Sequence, residues 1–127
     1  MNPRTARSQL MGGLIWGMSS ALLEATELDE RYARYINDNL ADYMLPVNTD
    51  APRVEVILLS EVDEQIDLAG VKGLGELGDA STNAAIYNAI FNATGQRIRK
   101  LHANNASCPS LIPVLQRPSF FSACVHF

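Results

Sequence analysis

A stripe of glycines inside an apolar helical repeat is the feature that most constrains how this chain folds. In the stretch SQLMGGLIWGMSSALL, large apolar side chains recur at every fourth position from Leu10 to Leu22, and Gly13 and Gly17 form a second, narrow stripe. This spacing predicts an α-helix after Ser8 with one apolar face and one smooth side. Each interior glycine costs a helix roughly 1 kcal/mol relative to alanine. The glycines therefore predict a compensating close contact with another helix, a strand or a cofactor.

The run RVEVILL predicts a β-strand that is buried on at least one face. A polar connection containing two prolines leads from the first helix into this run, as is typical of an extended segment. The apolar side chains of Val54, Val56 and Leu58 fall on one side of the alternation. The residues of the other side are Arg53, Glu55 and Ile57.

The stretch GVKGLGELGDASTNAAIYNAIFNATG, which ends at Gly95, predicts a glycine-rich loop followed by a second helix. Either Asp79 or Ser81 can cap the first turn by accepting a hydrogen bond from an unpaired backbone N–H. Ile86 and the apolar residues on its face supply the core side, and Gly95 suits the residue after the helix end. The order helix, strand, loop, helix predicts a mixed α/β (α+β) fold in which two helices cover a small sheet.

Charge and composition exclude several classes of partner. The net charge is −4 with both signs scattered along the chain, so there is no basic surface of the kind that nucleic acid requires. The longest apolar stretch is interrupted by glycines and serines, which argues against a membrane span. It runs into Glu24 rather than a cleavage site, so we expect an intracellular domain. Cys108 and Cys124 lack zinc-site spacing.

The loop sequence GLGELG leaves its chemistry open. Helix amino termini bind anions, but Glu76 and Asp79 are anions themselves, and neither a Walker motif nor a dinucleotide fingerprint is present. Glu76 is either a general base held by a flexible loop or a solvent-facing acid in a tight turn.

Three segments together resemble one protein family. NPRTARSQLMGGLIWGMSSALLEAT, YINDNLADYMLPVNTDAPRVEV and GVKGLGELGDASTNAAIYNAI, in this order, look like the carboxy-terminal part of the molybdenum-binding subunit of the xanthine dehydrogenase and aldehyde oxidoreductase family. The motifs are a Gln before Gly-Gly, Asp-Tyr-x-x-Pro, and Lys-Gly-x-Gly-Glu. The resemblance makes residues 1–101 a fragment of the molybdopterin-binding domain. We expect residues 102–127 to form an irregular tail that does not match the family.

The resemblance implies a function for individual residues. Glu76 matches the catalytic base in the molybdenum-dependent hydroxylation of an aldehyde or N-heterocycle. Gln9 matches a glutamine that hydrogen-bonds the molybdopterin cofactor, with a surface polar residue as the alternative interpretation. No side chain of this chain is implied as a metal ligand. The residues that match the loop along the pterin are Lys72, Gly73, Leu74 and Gly75.

The resemblance also implies partners. These are the remainder of the molybdenum subunit and the chains or domains that carry iron–sulfur clusters and FAD, because this chain has neither cluster-type cysteine spacing nor a dinucleotide fingerprint. The complete enzyme is expected in the cytoplasm, with the periplasm as the alternative. Two hypotheses follow: a fragment of a molybdenum hydroxylase, or a non-catalytic α/β module without cofactor that self-associates through bare apolar faces. We expect the isolated chain to be inactive.

Overall fold

The computed structural model of the chain describes residues 2–59, 65, 68, 69 and 73–100. Its elements, in chain order, are helix α1 (Pro3–Leu22), strand β1 (Leu28–Asp29), strand β2 (Arg34–Tyr35) and helix α2 (Thr82–Thr94). The predicted mixed α/β class is confirmed. The predicted tail lies outside the described residues, and so does Lys72. Neither helix of the described region is long and apolar enough to cross a membrane.

Helix α1 begins at Pro3 rather than after Ser8 as predicted. The side-chain oxygen of Asn2 accepts a hydrogen bond from the Arg4 N–H at 3.0 Å, and proline is favoured at the first helical position because its missing N–H needs no partner there. The cap therefore lies in the Asn-Pro pair, upstream of the apolar repeat that marks the core face. At the other end, the Leu23 N–H donates to the Ser19 carbonyl.

Strands β1 and β2 form an antiparallel hairpin, with Leu28 opposite Tyr35 and Asp29 opposite Arg34. The sequence of this region predicts a polar connection and not a hairpin. A carboxylate oxygen of Asp29 accepts a hydrogen bond from the Arg31 N–H at 3.0 Å, which fixes the start of the turn in the way typical of aspartate. Two residues per strand are too few to display an alternating pattern.

The strand predicted for RVEVILL (53–59) is wrong, because residues 51–59 belong to no strand. The predicted alternation is nevertheless present: Val54, Val56 and Leu58 are half-buried and the side chains between them are exposed. A strand also requires a hydrogen-bonded neighbour. Among the described residues, no backbone group of 51–59 forms a hydrogen bond.

Helix α2 packs on the carboxy-terminal half of α1 and completes a small core. This core consists of Met18, Ala21, Ile86 and Ile90. Gly95 follows α2 with φ 73°, so the predicted left-handed terminator is confirmed.

The start of α2 is held differently from the prediction. Ser81 occupies the cap position, but its side chain makes no capping hydrogen bond. The Asp79 backbone carbonyl, rather than its side chain, accepts from the Thr82 N–H at 3.2 Å. The Thr82 hydroxyl donates to the Gly78 carbonyl at 2.6 Å. Thr82 thereby ties the first turn of α2 back to the loop, but as a donor to a carbonyl, not as the acceptor of a backbone N–H that was predicted for Asp79 or Ser81.

Candidate functional site

The close neighbour of the α1 glycines is the loop that precedes α2, together with the first residue of α2. A Cβ built on Gly13 would lie 3.0 Å from the Gly78 Cα, and one built on Gly78 would lie 2.7 Å from the Leu10 carbonyl oxygen. A Cβ on Gly17 would lie 2.6 Å from the Thr82 Cβ. Carbon atoms in ordinary contact are about 3.5–4.0 Å apart. The two backbones therefore approach each other as closely as they do only because these positions lack side chains.

This close approach brings Gln9 to the glycine loop. The Gln9 Nε2 donates a hydrogen bond to the Gly75 carbonyl at 2.9 Å, across 66 positions of sequence. Gln9 and Gly13 are four residues apart, so both lie on the side of α1 that faces the loop. The structure thus joins two predicted site segments, and Gln9 lies beside the residue that precedes Glu76.

Glu76 is presented at the surface of a tight turn. Its side chain is exposed, and its backbone carbonyl accepts from the Asp79 N–H at 3.2 Å and the Ala80 N–H at 3.3 Å. The backbone of Glu76 is thus held by the turn. Within the described part of the chain, its carboxylate has neither a hydrogen-bond donor nor an ion-pair partner. This carboxylate is available to an incoming group.

The loop around Glu76 offers an open backbone surface. A Cβ built on Gly73 or Gly75 would meet nothing within 4 Å, while Leu74 is half-buried. Among the residues described, no acceptor is found for the N–H groups of Gly75 and Glu76. Open backbone, available N–H donors and a glutamine side chain form a set that fits a flat, polar heterocycle such as a pterin.

The described region contains no group of three or more His, Cys, Asp and Glu side chains able to hold a metal ion.

A buried oxygen lies beneath the loop. The Asp79 Oδ1 is buried without a hydrogen-bond partner and lies 2.9 Å from the place of a Cβ on Gly17. The sequence predicts Asp79 as a possible helix cap. It does not predict the burial of its carboxylate oxygen, because the residue that covers this oxygen belongs to α1.

A second cluster, missed by the sequence analysis, explains one of the family motifs. Tyr43, in Asp-Tyr-x-x-Pro, donates from its hydroxyl to the Glu24 Oε2 at 3.0 Å, and the Ser19 hydroxyl donates to the Glu24 Oε1. The hydrogen bond to the Glu24 carboxylate raises the pKa of Tyr43 above its usual value. The cluster ties the motif to the end of α1.

The chain is similar in sequence to proteins of one family. A model of the molybdopterin cofactor-binding domain family matches residues 1–52. The chain is 44% identical over 99 residues to the aldehyde oxidoreductase molybdenum-binding subunit PaoC of Escherichia coli K12, covering 78% of this chain and 14% of that protein.

Two further relatives show similar coverage. The xanthine dehydrogenase molybdenum-binding subunit of Escherichia coli O157:H7 is 37% identical over 101 residues, which is 80% of this chain and 13% of the relative. The isoquinoline 1-oxidoreductase subunit beta of Brevundimonas diminuta is 31% identical over 99 residues, 78% of this chain and 12% of the relative. The chain thus spans about one seventh of the length of the curated relatives it matches. It belongs to the family of molybdenum-binding subunits of xanthine dehydrogenases and aldehyde oxidoreductases.

Proposed function

We propose that this chain forms one wall of a molybdopterin site in a molybdenum hydroxylase and supplies its catalytic base, Glu76. The observation that carries the proposal is the hydrogen bond from Gln9 to the Gly75 carbonyl. It brings the glutamine of one family motif next to the glutamate of another. The resemblance assigns both residues to one cofactor site, and this contact supports that assignment.

Glu76 takes a proton in the proposed reaction. A general base must lie within hydrogen-bonding reach of the proton that it removes, and the Glu76 carboxylate is exposed and without a partner among the described residues. In the assembled enzyme, cofactor, substrate and the rest of the subunit would cover this carboxylate. The bound molybdenum centre supplies the two-electron oxidation that accompanies this proton transfer.

The remaining site residues hold the cofactor in place. Gly73 and Gly75 let the backbone come close to a flat ring, since a Cβ at either position would occupy open space. The backbone N–H groups of Gly75 and Glu76, which have no acceptor among the described residues, would be the donors to a bound pterin. Gln9 fixes the loop through its Nε2 and keeps its side-chain oxygen as an acceptor. Lys72 is assigned to the same loop by the family motif alone.

The substrate and partners are proposed from chemistry and from relatives. Relatives are named aldehyde oxidoreductase, xanthine dehydrogenase and isoquinoline 1-oxidoreductase, so we propose an aldehyde or an N-heterocycle as substrate. Several relatives are named as subunits. The remainder of the molybdenum subunit and the components that carry iron–sulfur clusters and FAD are the proposed partners.

The test compares Glu76→Gln with Glu30→Gln in the chain assembled with the rest of its subunit. Both changes replace an exposed carboxylate with an amide of the same shape, but Glu30 lies in the turn between β1 and β2 and does not belong to the loop. We expect Glu76→Gln to abolish turnover, a loss of at least about a hundredfold for a general base, with the molybdenum and pterin content unchanged. Glu30→Gln leaves activity intact. Retained activity in Glu76→Gln would remove the residue from the role of base.

A second candidate function is a non-catalytic α/β module. It is favoured by the exposure of many large apolar side chains, among them Trp16 at 56%, Leu40 at 82% and Leu59 at 86%. Such surfaces mark interaction sites. In this alternative, the assembled chain would restore neither pterin binding nor turnover, and only association with another protein surface would be measured.

A further inference from the structure

Residues 51–59 have the pattern of a strand, but they have no strand partner within the described part of the chain. Val54 and Val56 are half-buried, whereas Ile57 is 75% exposed and Leu59 is 86% exposed. No backbone hydrogen bond of this segment occurs among the described residues. A row of unpaired N–H and C=O groups is a template for another strand.

We propose that residues 51–57, the edge segment, pair antiparallel with the edge segment of a second copy of this chain, with Val54 opposite Val54. In this register Arg53 of each copy lies opposite Glu55 of the other. Opposite charges that face each other across an antiparallel pair stabilise it, and the symmetry provides this pair twice. The neighbouring register, centred on Val56, would place Glu55 opposite Ile57 and lose both charge pairs.

The proline of the edge segment fits the same register. Facing residues in an antiparallel pair alternate between hydrogen-bonded and non-hydrogen-bonded positions. If Arg53 and Glu55 form the hydrogen-bonded pairs, Pro52 falls at a non-hydrogen-bonded position opposite Val56. The missing proline N–H then leaves no gap in the ladder, in keeping with where proline is tolerated in strands.

The edge segment borders a cavity of about 530 Å³, which is lined by residues 53–58 and by Arg7 and Met11 of α1. A two-stranded ladder of this length is weak, so we expect a concentration-dependent dimer of the small, transient class.

The first test measures mass by analytical ultracentrifugation of the full chain from micromolar to millimolar concentration. We expect the mass to rise from 13.9 kDa towards twice that value. Arg53→Glu places two glutamates opposite each other at both ends of the pair and weakens the dimer by about tenfold or more. The double variant Arg53→Glu with Glu55→Arg restores the opposite-charge pairs and the dimer. Arg99→Glu, which makes the same charge change elsewhere, leaves dimerisation unchanged.

The second test uses the unmodified chain and therefore does not depend on the folding of any variant. Amide hydrogen exchange, followed residue by residue with NMR, should slow with protein concentration at Arg53, Glu55 and Ile57, but not at Val54 and Val56. A chain that stays monomeric throughout, a double variant that fails to restore the dimer, or protection without alternation would each overturn the proposal.

Discussion

Replacing Gly17 with alanine is the sharpest test of how α1 meets the loop. The added Cβ would lie 2.6 Å from the Thr82 Cβ and 2.9 Å from the Asp79 Oδ1. Thr82 cannot easily rotate away, because it is β-branched, begins a helix and donates its hydroxyl to the Gly78 carbonyl. The helices must therefore separate, and overpacking of this kind costs about 1–3 kcal/mol.

The matched control is Gly12→Ala in the same helix, where a new Cβ would meet nothing within 4 Å. Both substitutions gain about 1 kcal/mol of helix propensity, so this gain cancels in the comparison. We expect Gly12→Ala to stabilise the chain by about 1 kcal/mol and Gly17→Ala to be about 1–3 kcal/mol less stable than Gly12→Ala.

Thermal unfolding followed by circular dichroism measures this difference. At roughly 4 °C for each kcal/mol in a domain of this size, the Tm values of the two variants should differ by about 4–12 °C. Equal shifts in the two variants would refute the conclusion that the glycine at position 17 is required by the contact with α2.

The remaining predictions concern the isolated chain and its titratable cluster. We expect the purified chain to contain no stoichiometric molybdenum and not to oxidise aldehydes with an artificial electron acceptor. The reason is that a cofactor site built from one wall cannot exclude water. Elemental analysis that finds about one molybdenum per chain would contradict this expectation. Tyr43→Phe should lower Tm slightly through loss of the hydrogen bond to Glu24. The pKa of Tyr43 is higher in the folded chain than its usual value of about 10. As the pH rises above about 10, the Tyr43 hydroxyl therefore loses its proton in the unfolded chain before it does so in the folded chain. The free energy of unfolding should fall over this pH range. Tyr43→Phe should lack this part of the pH dependence, and identical alkaline profiles for both proteins would contradict the assignment.

The sequence predicted local features of the fold better than pairings between distant segments. Gly95 was predictable because a left-handed terminator depends only on the residue itself. The strand prediction at 53–59 gave the correct alternation of buried and exposed side chains but was wrong about hydrogen-bonded pairing with another strand. Such pairing depends on a neighbouring strand, which the alternation does not specify. The start of α1 was misplaced because the apolar repeat marks the core face, whereas the cap at Asn2 lies upstream of it.

In the candidate site, too, the sequence predicted the residue types but not the contact between distant segments. The residue types around Glu76 were visible in the loop sequence, and the resemblance assigned Gln9 to the same cofactor. Their proximity depends on the glycines of α1, whose partner lies more than sixty positions away in the chain. Spacing within one sequence cannot supply such a distance.

The glycine stripe therefore links the stability of the described fold to its proposed chemistry. Gly13 lets Gly78 approach, and this approach brings the carbonyl of Gly75 within reach of Gln9. Any side chain that separates α1 from the loop should also move Glu76, since the loop backbone is tied in a turn through the Glu76 carbonyl. A misplacement of about 1 Å is enough to lower a catalytic rate by orders of magnitude. In the assembled enzyme, Gly17→Ala should therefore lower turnover although Gly17 is not among the proposed cofactor-binding residues, whereas Gly12→Ala should not.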